Sequence, residues 1–321
     1  MPLNESKGQM YSWVGFTHTH LGGECPHKCS YCYTGRGRFG RPPRYEGPLR
    51  LIEKEFNVNY GTDRIIFVEN CNDLFAFEVP HEMILRVLEH CCKYPDNTYV
   101  FQTKNPLRYF GYLKSMPPHV MLGTTIETNR KVLVMAHSKA PEPSLRKEGM
   151  VRLTKGNLWK ENLKTFVTIE PIMDLDVDVM LLWLQQINPT FVNVGADSKG
   201  TNLPEPSADK VHALLDGIGR LGIEIRQKSN LTRLLRRDLE GPVSPANPVP
   251  QPKKERVKIL HEEIRFCDAC IYCHEDGNRK EIVCTRIGKR LPDEWIMRDR
   301  QEPMVPMEIP DWCPLPDKKE D

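Results

Sequence analysis

Eleven cysteines in 321 residues, and the places where they fall, constrain this chain more than any other feature. Their number is odd and the chain is long enough to fold without covalent staples, so a secreted disulfide framework does not fit. Eight of them gather near the two ends: Cys25, Cys29 and Cys32, then Cys267, Cys270, Cys273, Cys284 and Cys313. Cys71, Cys91 and Cys92 lie between. Clustered thiols of this kind read as metal ligands kept in a reducing, cytoplasmic setting. The stretch Met1-Pro2-Leu3-Asn4-Glu5-Ser6-Lys7 has no apolar h-region, and no run approaches the ~18 apolar residues of a membrane span. Neither a secretory signal nor a transmembrane helix is expected.

Short apolar runs alternate with helical patterns from about residue 13 to 235. Strands are expected at Ile65–Glu69, Tyr99–Thr103, Val120–Glu127, Phe166–Glu170, Phe191–Gly195 and Ile223–Arg226, each rich in β-branched or aromatic residues. A first strand is expected near Phe16–His20. Helices are expected at His81–Tyr94, where Ile84, Leu85, Leu88 and Cys91 share a face and Pro95 ends the run, and at Met173–Ile187 and Ala208–Leu221. Strand-then-helix repetition predicts βαβ units, a parallel sheet and a partial (β/α) barrel, with chemistry at the C-terminal ends of the strands. Five prolines between Pro242 and Pro252 mark a stiff linker. The expected division is a barrel over 1–241, a Pro-rich basic linker over 242–258, and a small Cys-rich metal-binding unit over 259–321.

Cys25-Pro26-His27-Lys28-Cys29-Ser30-Tyr31-Cys32 has the spacing C-x3-C-x2-C. Three neighbouring thiolates repel one another unless a cation holds them. Three ligands leave one iron of a [4Fe–4S] cluster open, and an open coordination position is where substrate chemistry occurs. A zinc site is the alternative, with His27 or His20 as fourth ligand.

This motif resembles the signature of the radical S-adenosylmethionine (radical SAM) superfamily, C-x3-C-x-aromatic-C, with Tyr31 in the aromatic place. The resemblance implies a catalytic [4Fe–4S] cluster on Cys25, Cys29 and Cys32. It also implies S-adenosylmethionine bound to the fourth iron, and reductive cleavage to a 5′-deoxyadenosyl radical that takes a hydrogen atom from substrate. Further segments are similar to a phage-associated radical-SAM-like family. Val68-Glu69-Asn70-Cys71-Asn72-Asp73-Leu74-Phe75 resembles its "GDMSDLF", and Phe101-Gln102-Thr103-Lys104-Asn105-Pro106 its "LTKRP". Leu122-Gly123-Thr124-Thr125-Ile126-Glu127-Thr128 resembles "LGVSVE", Ile169-Glu170-Pro171-Ile172 "EPL", Val192-Asn193-Val194-Gly195-Ala196-Asp197-Ser198 "VIVGGES", and Arg226-Gln227-Lys228 "FKQ". The Thr-Lys pair is also similar to that of spore photoproduct lyase. The superfamily's Gly-Gly-Glu stretch is absent, and Asn70, Asn72 and Asp73 stand in its place.

The resemblance makes Tyr31, Asn70, Asn72, Asp73, Thr103, Lys104, Thr125 and Glu127 candidates for holding S-adenosylmethionine. Glu170 and Asp197 are expected to face substrate, and Cys71 is a candidate hydrogen donor. Cys91 and Cys92 read as core residues on an amphipathic helix. The implied partner is a reductant protein such as flavodoxin or ferredoxin. At the other end, C-x2-C-x2-C with Cys284 and Cys313, and His274 beside them, fits either structural zinc or a second [4Fe–4S] cluster.

With 45 Lys+Arg against 43 Asp+Glu, no global basic field draws the chain to nucleic acid. A local basic stretch does exist: Arg226, Lys228, Arg233, Arg236, Arg237, Lys253, Lys254, Arg256 and Lys258. The leading expectation is a radical SAM enzyme with a nucleotide or nucleic acid as foremost substrate class. The alternatives are a non-catalytic, zinc-stabilised nucleic-acid-binding protein and a simple iron–sulfur electron carrier.

Overall fold

The apolar runs of the first 240 residues form strands, and the amphipathic stretches between them form helices laid against one face of the resulting sheet. The computed structural model describes residues 3–8, 10–35, 42–156 and 163–236, together with the three short segments 273–276, 281–284 and 289–290. The chain divides into two compact units, Met1–Gly241 and Pro242–Asp321. In the first unit the strands are β1 (Asn4–Glu5), β2 (Phe16–His18), β3 (Leu21–Gly22), β4 (Arg50–Leu51), β5 (Ile65–Val68), β6 (Thr98–Thr103), β7 (Val120–Thr125), β8 (Lys164–Ile169), β9 (Phe191–Val194) and β10 (Glu224–Gln227). The helices are α1 (His81–Cys92), α2 (Lys131–His137), α3 (Pro143–Lys155), α4 (Val177–Ile187), α5 (Ala208–Arg220) and α6 (Thr232–Leu235).

Eight strands make the main sheet in the order β1-β2-β5-β6-β7-β8-β9-β10. The edge strand β1 is antiparallel to β2, and the other seven strands run parallel. Chain order and spatial order coincide, with no reversal. That is the winding of a barrel and not of a doubly wound sheet, whose order turns back at a switch point. The sheet is open, with β1 and β10 at its edges. β3 and β4 form a separate two-stranded ribbon.

Alternate residues of the strands divide between two cores. Ile66, Val68, Tyr99, Phe101, Leu122, Val167, Ile169, Val192 and Val194 pack with Ile84, Val87, Leu88, Met180, Leu184, Leu214 and Ile218 of the helices. The opposite face gathers Phe67, Val100, Phe166 and Phe191 around Tyr11 and Val14 of the N-terminal segment. The Tyr11 and Trp13 rings stack at 5.4 Å, and Trp13 makes T-shaped contacts with Phe166 (5.8 Å) and Phe191 (5.1 Å). The Arg226 guanidinium lies 3.6 Å from the Phe191 ring centroid. This segment therefore plugs the N-terminal half of the inner face and leaves the C-terminal half open.

Several boundaries differ from the sequence reading. β7 ends at Thr125, so Glu127 lies past the strand. α4 begins at Val177 and not at Met173, because the backbone of 172–174 is stitched to neighbouring loops: Ile172 N–H to Gly195 O, Met173 N–H to Glu127 O, and Asp174 N–H to Pro204 O. α2 and α3 were not expected. The buried residues of α3 include Arg146 and Gly149 beside Met150 and Leu153, so its apolar period is weak. Among the described residues no helix is long and apolar enough to cross a membrane.

In the second unit the described residues form an antiparallel sheet of β11 (Cys273–Asp276), β12 (Glu281–Cys284) and β13 (Lys289–Arg290). Cys273 and Cys284 are register partners. Cys267, Cys270, Cys313 and the linker 242–258 lie outside the described residues.

Two predictions follow from packing. A Cβ on Gly123 would stand 2.3 Å from the Phe166 ring, which lies over this position on the inner face. Gly123→Ala must push the ring away and is expected to cost about 1–3 kcal/mol, read as a lowered midpoint in urea unfolding. The second concerns acid. His18 and His90 are both buried; burial, reinforced by neighbouring His20, lowers His18 to about 3 and His90 to about 4 from the usual 6.5. Both are neutral when folded, whereas the unfolded chain takes up protons below about 6.5. Their contribution to stability is complete above that value and falls away as pH drops towards 3. For His18 alone the loss at pH 5 is about 2 kcal/mol. Unfolding free energies measured at pH 7.5 and pH 5.0 should differ accordingly; equal values would contradict this account.

Candidate functional site

The C-terminal ends of the parallel strands open into a cavity of ≈ 1010 Å³. Cys25, Cys29 and Cys32 all line it. They sit on the loop after β3, and Gly23 fixes how that loop begins. Its φ is +90°, and a Cβ there would lie 2.2 Å from the Pro48 carbonyl oxygen, so only glycine fits. The end of α2 grips the loop from outside. Ser30 N–H donates to His137 O (2.8 Å), Lys139 N–H donates to His27 O (2.7 Å), and Cys29 Sγ lies 3.1 Å from Ser138 Oγ. Cys32 Sγ lies 3.0 Å from Thr34 Oγ1.

The three side chains are half-buried free thiols. Burial pushes the Cys25 thiol well above its usual range, and the Asp73 charge adds to this. Burial also raises Cys29, with Lys104 opposing. Among the described residues no three His, Cys, Asp or Glu side chains already stand as an assembled metal site. The donor set nevertheless suits a cluster: three thiols on one pinned loop, turned to one cavity, each able to lose its proton to iron.

Beside the loop, Asp73 is a buried hinge. Its Oδ2 meets His27 Nε2 at 2.8 Å and accepts from Lys104 N–H at 2.7 Å, while Oδ1 accepts from Phe75 N–H at 3.0 Å. Burial alone would raise its carboxyl, but His27 and these hydrogen bonds hold it below the ordinary value. Glu69, at φ +61°, uses its carboxylate to accept from His20 N–H and Leu21 N–H and to meet His20 Nδ1 at 2.9 Å. The other ring nitrogen of His20 lies 2.9 Å from Tyr60 OH.

A second buried carboxylate, Glu127, joins three partners. Its Oε1 takes Lys104 Nζ and the Tyr31 hydroxyl, and its Oε2 accepts from Arg146 Nη1 at 2.7 Å. Burial raises the Glu127 carboxyl, but Lys104 and Arg146 outweigh it and leave the group well below the usual range. Tyr31 is driven far above the ordinary phenol value by burial and by the Glu127 charge, so it stays a hydrogen-bond donor.

The floor of the cavity is a closed hydrogen-bond network. Tyr11 OH donates to Gln102 Oε1 (2.9 Å) and lies 3.0 Å from Thr168 Oγ1; Gln102 Nε2 donates to Thr125 Oγ1 (2.8 Å). Asn193 Nδ2 donates to Thr168 Oγ1 and Trp13 Nε1 donates to Asn193 Oδ1. On the far wall Glu170 pairs with Lys228 at 2.8 Å. Burial raises the Glu170 carboxyl against the pull of Lys228 and Asn230.

Of the residues singled out in the sequence, Tyr31, Asn70, Cys71, Asn72, Asp73, Thr103, Lys104, Thr125, Glu170 and Asp197 all line this cavity. Glu127 lies behind it. Several of them are already engaged within the protein. Asn70 accepts from Thr19 and donates to Tyr33 OH, Asn72 donates to Gly23 O, and Thr103 Oγ1 accepts from Asn105 N–H. The Asp197 carboxylate caps its own loop through Lys199 N–H, Thr201 N–H and Thr201 Oγ1. Tyr33 OH donates to Asn70 O (2.6 Å) and lies 3.2 Å from Cys71 Sγ. Sequence reasoning missed Tyr11, Tyr33, Gln102, Arg146 and Asn230 as site residues. Gln102 lies within a quoted strand end, but Tyr11 and Arg146 carry no local signal.

A family model described as a protein of unknown function (DUF5131) matches residues 26–141. No curated protein matches. Among solved structures, Streptococcus suis SuiB bound to precursor peptide SuiA is similar with a TM-score of 0.47 and 10% identity, over 66% of this chain and 48% of SuiB. The chain thus spans about half of SuiB. A spore photoproduct lyase variant with bound AdoMet and dinucleoside spore photoproduct is similar with a TM-score of 0.47 and 9% identity, over 70% of this chain and 80% of the lyase. SuiB bound to S-adenosylmethionine gives a TM-score of 0.44 and 10% identity, over 66% of this chain and 49% of that one.

Proposed function

We propose that this chain is a radical SAM enzyme whose main sheet is the partial barrel of that class. The observation that carries the reading is the placement of the C-x3-C-x2-C loop. All three thiols open on the large cavity at the C-terminal ends of the parallel strands. Cys25, Cys29 and Cys32 would hold a [4Fe–4S] cluster, with S-adenosylmethionine in the adjoining part of the cavity. Bound together, these groups supply reductive cleavage of S-adenosylmethionine and hydrogen-atom abstraction from substrate, at the expense of one electron from a carrier such as flavodoxin or ferredoxin.

The protein's own residues position and shield. Glu127 holds the Tyr31 ring and the Lys104 ammonium beside the cysteine loop. The Tyr11 network closes the floor, which excludes water from below. Asn70, Asn72, Asp73, Thr103 and Thr125 furnish the polar wall for S-adenosylmethionine. In this reading Glu170 and Asp197 face substrate and Cys71 returns a hydrogen atom to it; all three line the cavity.

A nucleotide or nucleic acid is the substrate class we favour. Each of the four carboxylates lining the cavity, those of Glu69, Asp73, Glu170 and Asp197, has partners within the protein. Lys7, Lys199 and Arg236 also line it, and among the described residues these three side chains have no ion-pair partner. The uncompensated charge suits phosphate.

Of the two histidines weighed as a fourth ligand for zinc at the N-terminal motif, His20 is committed through both ring nitrogens, while His27 meets Asp73 through Nε2 alone. For the second unit we propose a metal clip of zinc or a second cluster on Cys267, Cys270, Cys273, Cys284 and Cys313. The pairing of Cys273 with Cys284 across β11 and β12 supports it.

Anaerobically reconstituted protein should be brown and, with dithionite, release 5′-deoxyadenosine from S-adenosylmethionine. Cys29→Ala should reduce that release to background. A protein that takes up no iron, or a Cys29→Ala variant as active as the parent, refutes the proposal. For the second unit, Cys313→Ala should lose bound metal by elemental analysis. Loss of zinc identifies a zinc clip and loss of iron a second cluster, while unchanged metal content removes Cys313 from the ligand set.

A further inference from the structure

α3 contributes one arginine, Arg146, with no exposed surface. Its Nε donates to Pro141 O at 2.6 Å, and its Nη1 donates to Thr125 O at 3.0 Å and to Glu127 Oε2 at 2.7 Å. Its Nη2 is buried without a hydrogen-bond partner. An unpaired buried N–H is a net cost to folding, and an apolar side chain of similar length would avoid it. Stability alone is therefore a poor reason for an arginine at this place.

Charge supplies a better one. Glu127 is also fully buried and takes both Arg146 and Lys104. Two positive groups surround one negative group, so the trio of Arg146, Glu127 and Lys104 carries a net positive charge, with Lys104 at the cavity wall and the other two fully buried. Asp73, the other buried carboxylate beside the loop, meets His27 Nε2 and accepts from the backbone N–H groups of Phe75 and Lys104, so it makes no ion pair with Lys104 or Arg146. The excess lies beside the cysteine loop. Lys104 Nζ is 5.4 Å from the Tyr31 ring centroid, Tyr31 lies between Cys29 and Cys32 in the chain, and Lys104 and Glu127 both act electrostatically on Cys29.

We propose that Arg146 sets the redox poise of the cysteine loop: its buried guanidinium offsets Glu127 and leaves one positive charge that favours the reduced, more negative state of the cluster. This rests on the radical SAM reading. Arg146 touches neither cluster nor substrate; it acts through Glu127 and Lys104, as a positioning residue in charge rather than in shape. Reduction potentials of iron–sulfur clusters respond to local net charge in this sense. Removing a buried cation disfavours uptake of an electron, and removing a buried anion favours it.

The test is a mediated redox titration of the reconstituted cluster, each cluster taking one electron from a mediator of known potential, followed by electron paramagnetic resonance. Arg146→Met should shift the midpoint to more negative values, Arg146→Lys should leave it near that of the parent, and Glu127→Gln should shift it to more positive values. Shifts of one sign in Arg146→Met and Glu127→Gln, or none in either, overturn the assignment, because a merely structural residue gives no sign reversal. If Arg146→Met does not fold, Glu127→Gln and Arg146→Lys decide: a positive shift in the first with none in the second upholds the assignment, and any other result ends it. If the parent protein takes up no iron, the radical SAM reading fails and this inference with it. If the parent cleaves S-adenosylmethionine but the signs do not reverse, only the charge assignment fails.

Discussion

The carboxylate of Glu127 is where four separate stretches of chain meet. It sits just past β7, and its oxygens collect Tyr31 from the cysteine loop, Lys104 from the end of β6 and Arg146 from α3. A carboxylate with no exposure is tolerable only when charge and hydrogen bonds compensate for lost hydration. Here both do. The compensation fixes geometry as well as charge, because none of the three partners can move without leaving the others short. The cysteine loop has few apolar anchors of its own: Tyr31 packs with Met173 and Leu203, with Cys29 and Leu133 alongside. Its orientation therefore depends on Glu127 at Tyr31, on Asp73 at His27, and on the backbone of 137–139 outside.

Along each parallel strand the inner face changes character. Phe67, Val100, Phe166 and Phe191 lie towards the start, Gln102, Thr168 and Asn193 in the middle, and Lys104 and Glu170 just past the end. The plug of Tyr11 and Trp13 meets this gradient with matching chemistry: rings against the apolar layer, and a phenol and an indole N–H against the polar one. An interior so divided is sealed at one end and open and polar at the other. A tyrosine whose hydroxyl is satisfied by Gln102 and Thr168 can close a cavity floor without leaving an unpaired polar group beneath it. Gly123 belongs to the same design, since it admits the Phe166 ring to the inner face.

What could be read from the sequence was what repeats or stands at fixed spacing. Strands with β-branched runs, the helix ended by Pro95 and the C-x3-C-x2-C loop were legible, because each is a local pattern. α3 was not, because its buried side includes Arg146 and Gly149, residues that periodicity assigns to solvent or to a break. The plug was not either: the side-chain hydrogen bonds of Tyr11 and Trp13 go to partners more than ninety positions away in the chain, such as Gln102 and Asn193. Asp73 and Asp197 read as ligand groups, since a carboxylate at a strand end can face a cavity or cap a loop, and composition does not distinguish the two. The structure gives both side chains loop-capping bonds while leaving them on the cavity wall.

The state of the thiols completes the logic. Cys25 and Cys29 are held as neutral thiols by burial, so the loop without metal avoids three mutually repelling thiolates in a half-buried site. Under the proposed function, iron must displace those protons, and its affinity then depends on what offsets the charge that remains. Lys104 lowers the cost of a thiolate at Cys29, and Glu127 raises it. The balance between them turns on how much of the Glu127 charge is absorbed from behind. A loop of three cysteines alone would be indifferent to a residue on α3. Through the Glu127 carboxylate, it is not.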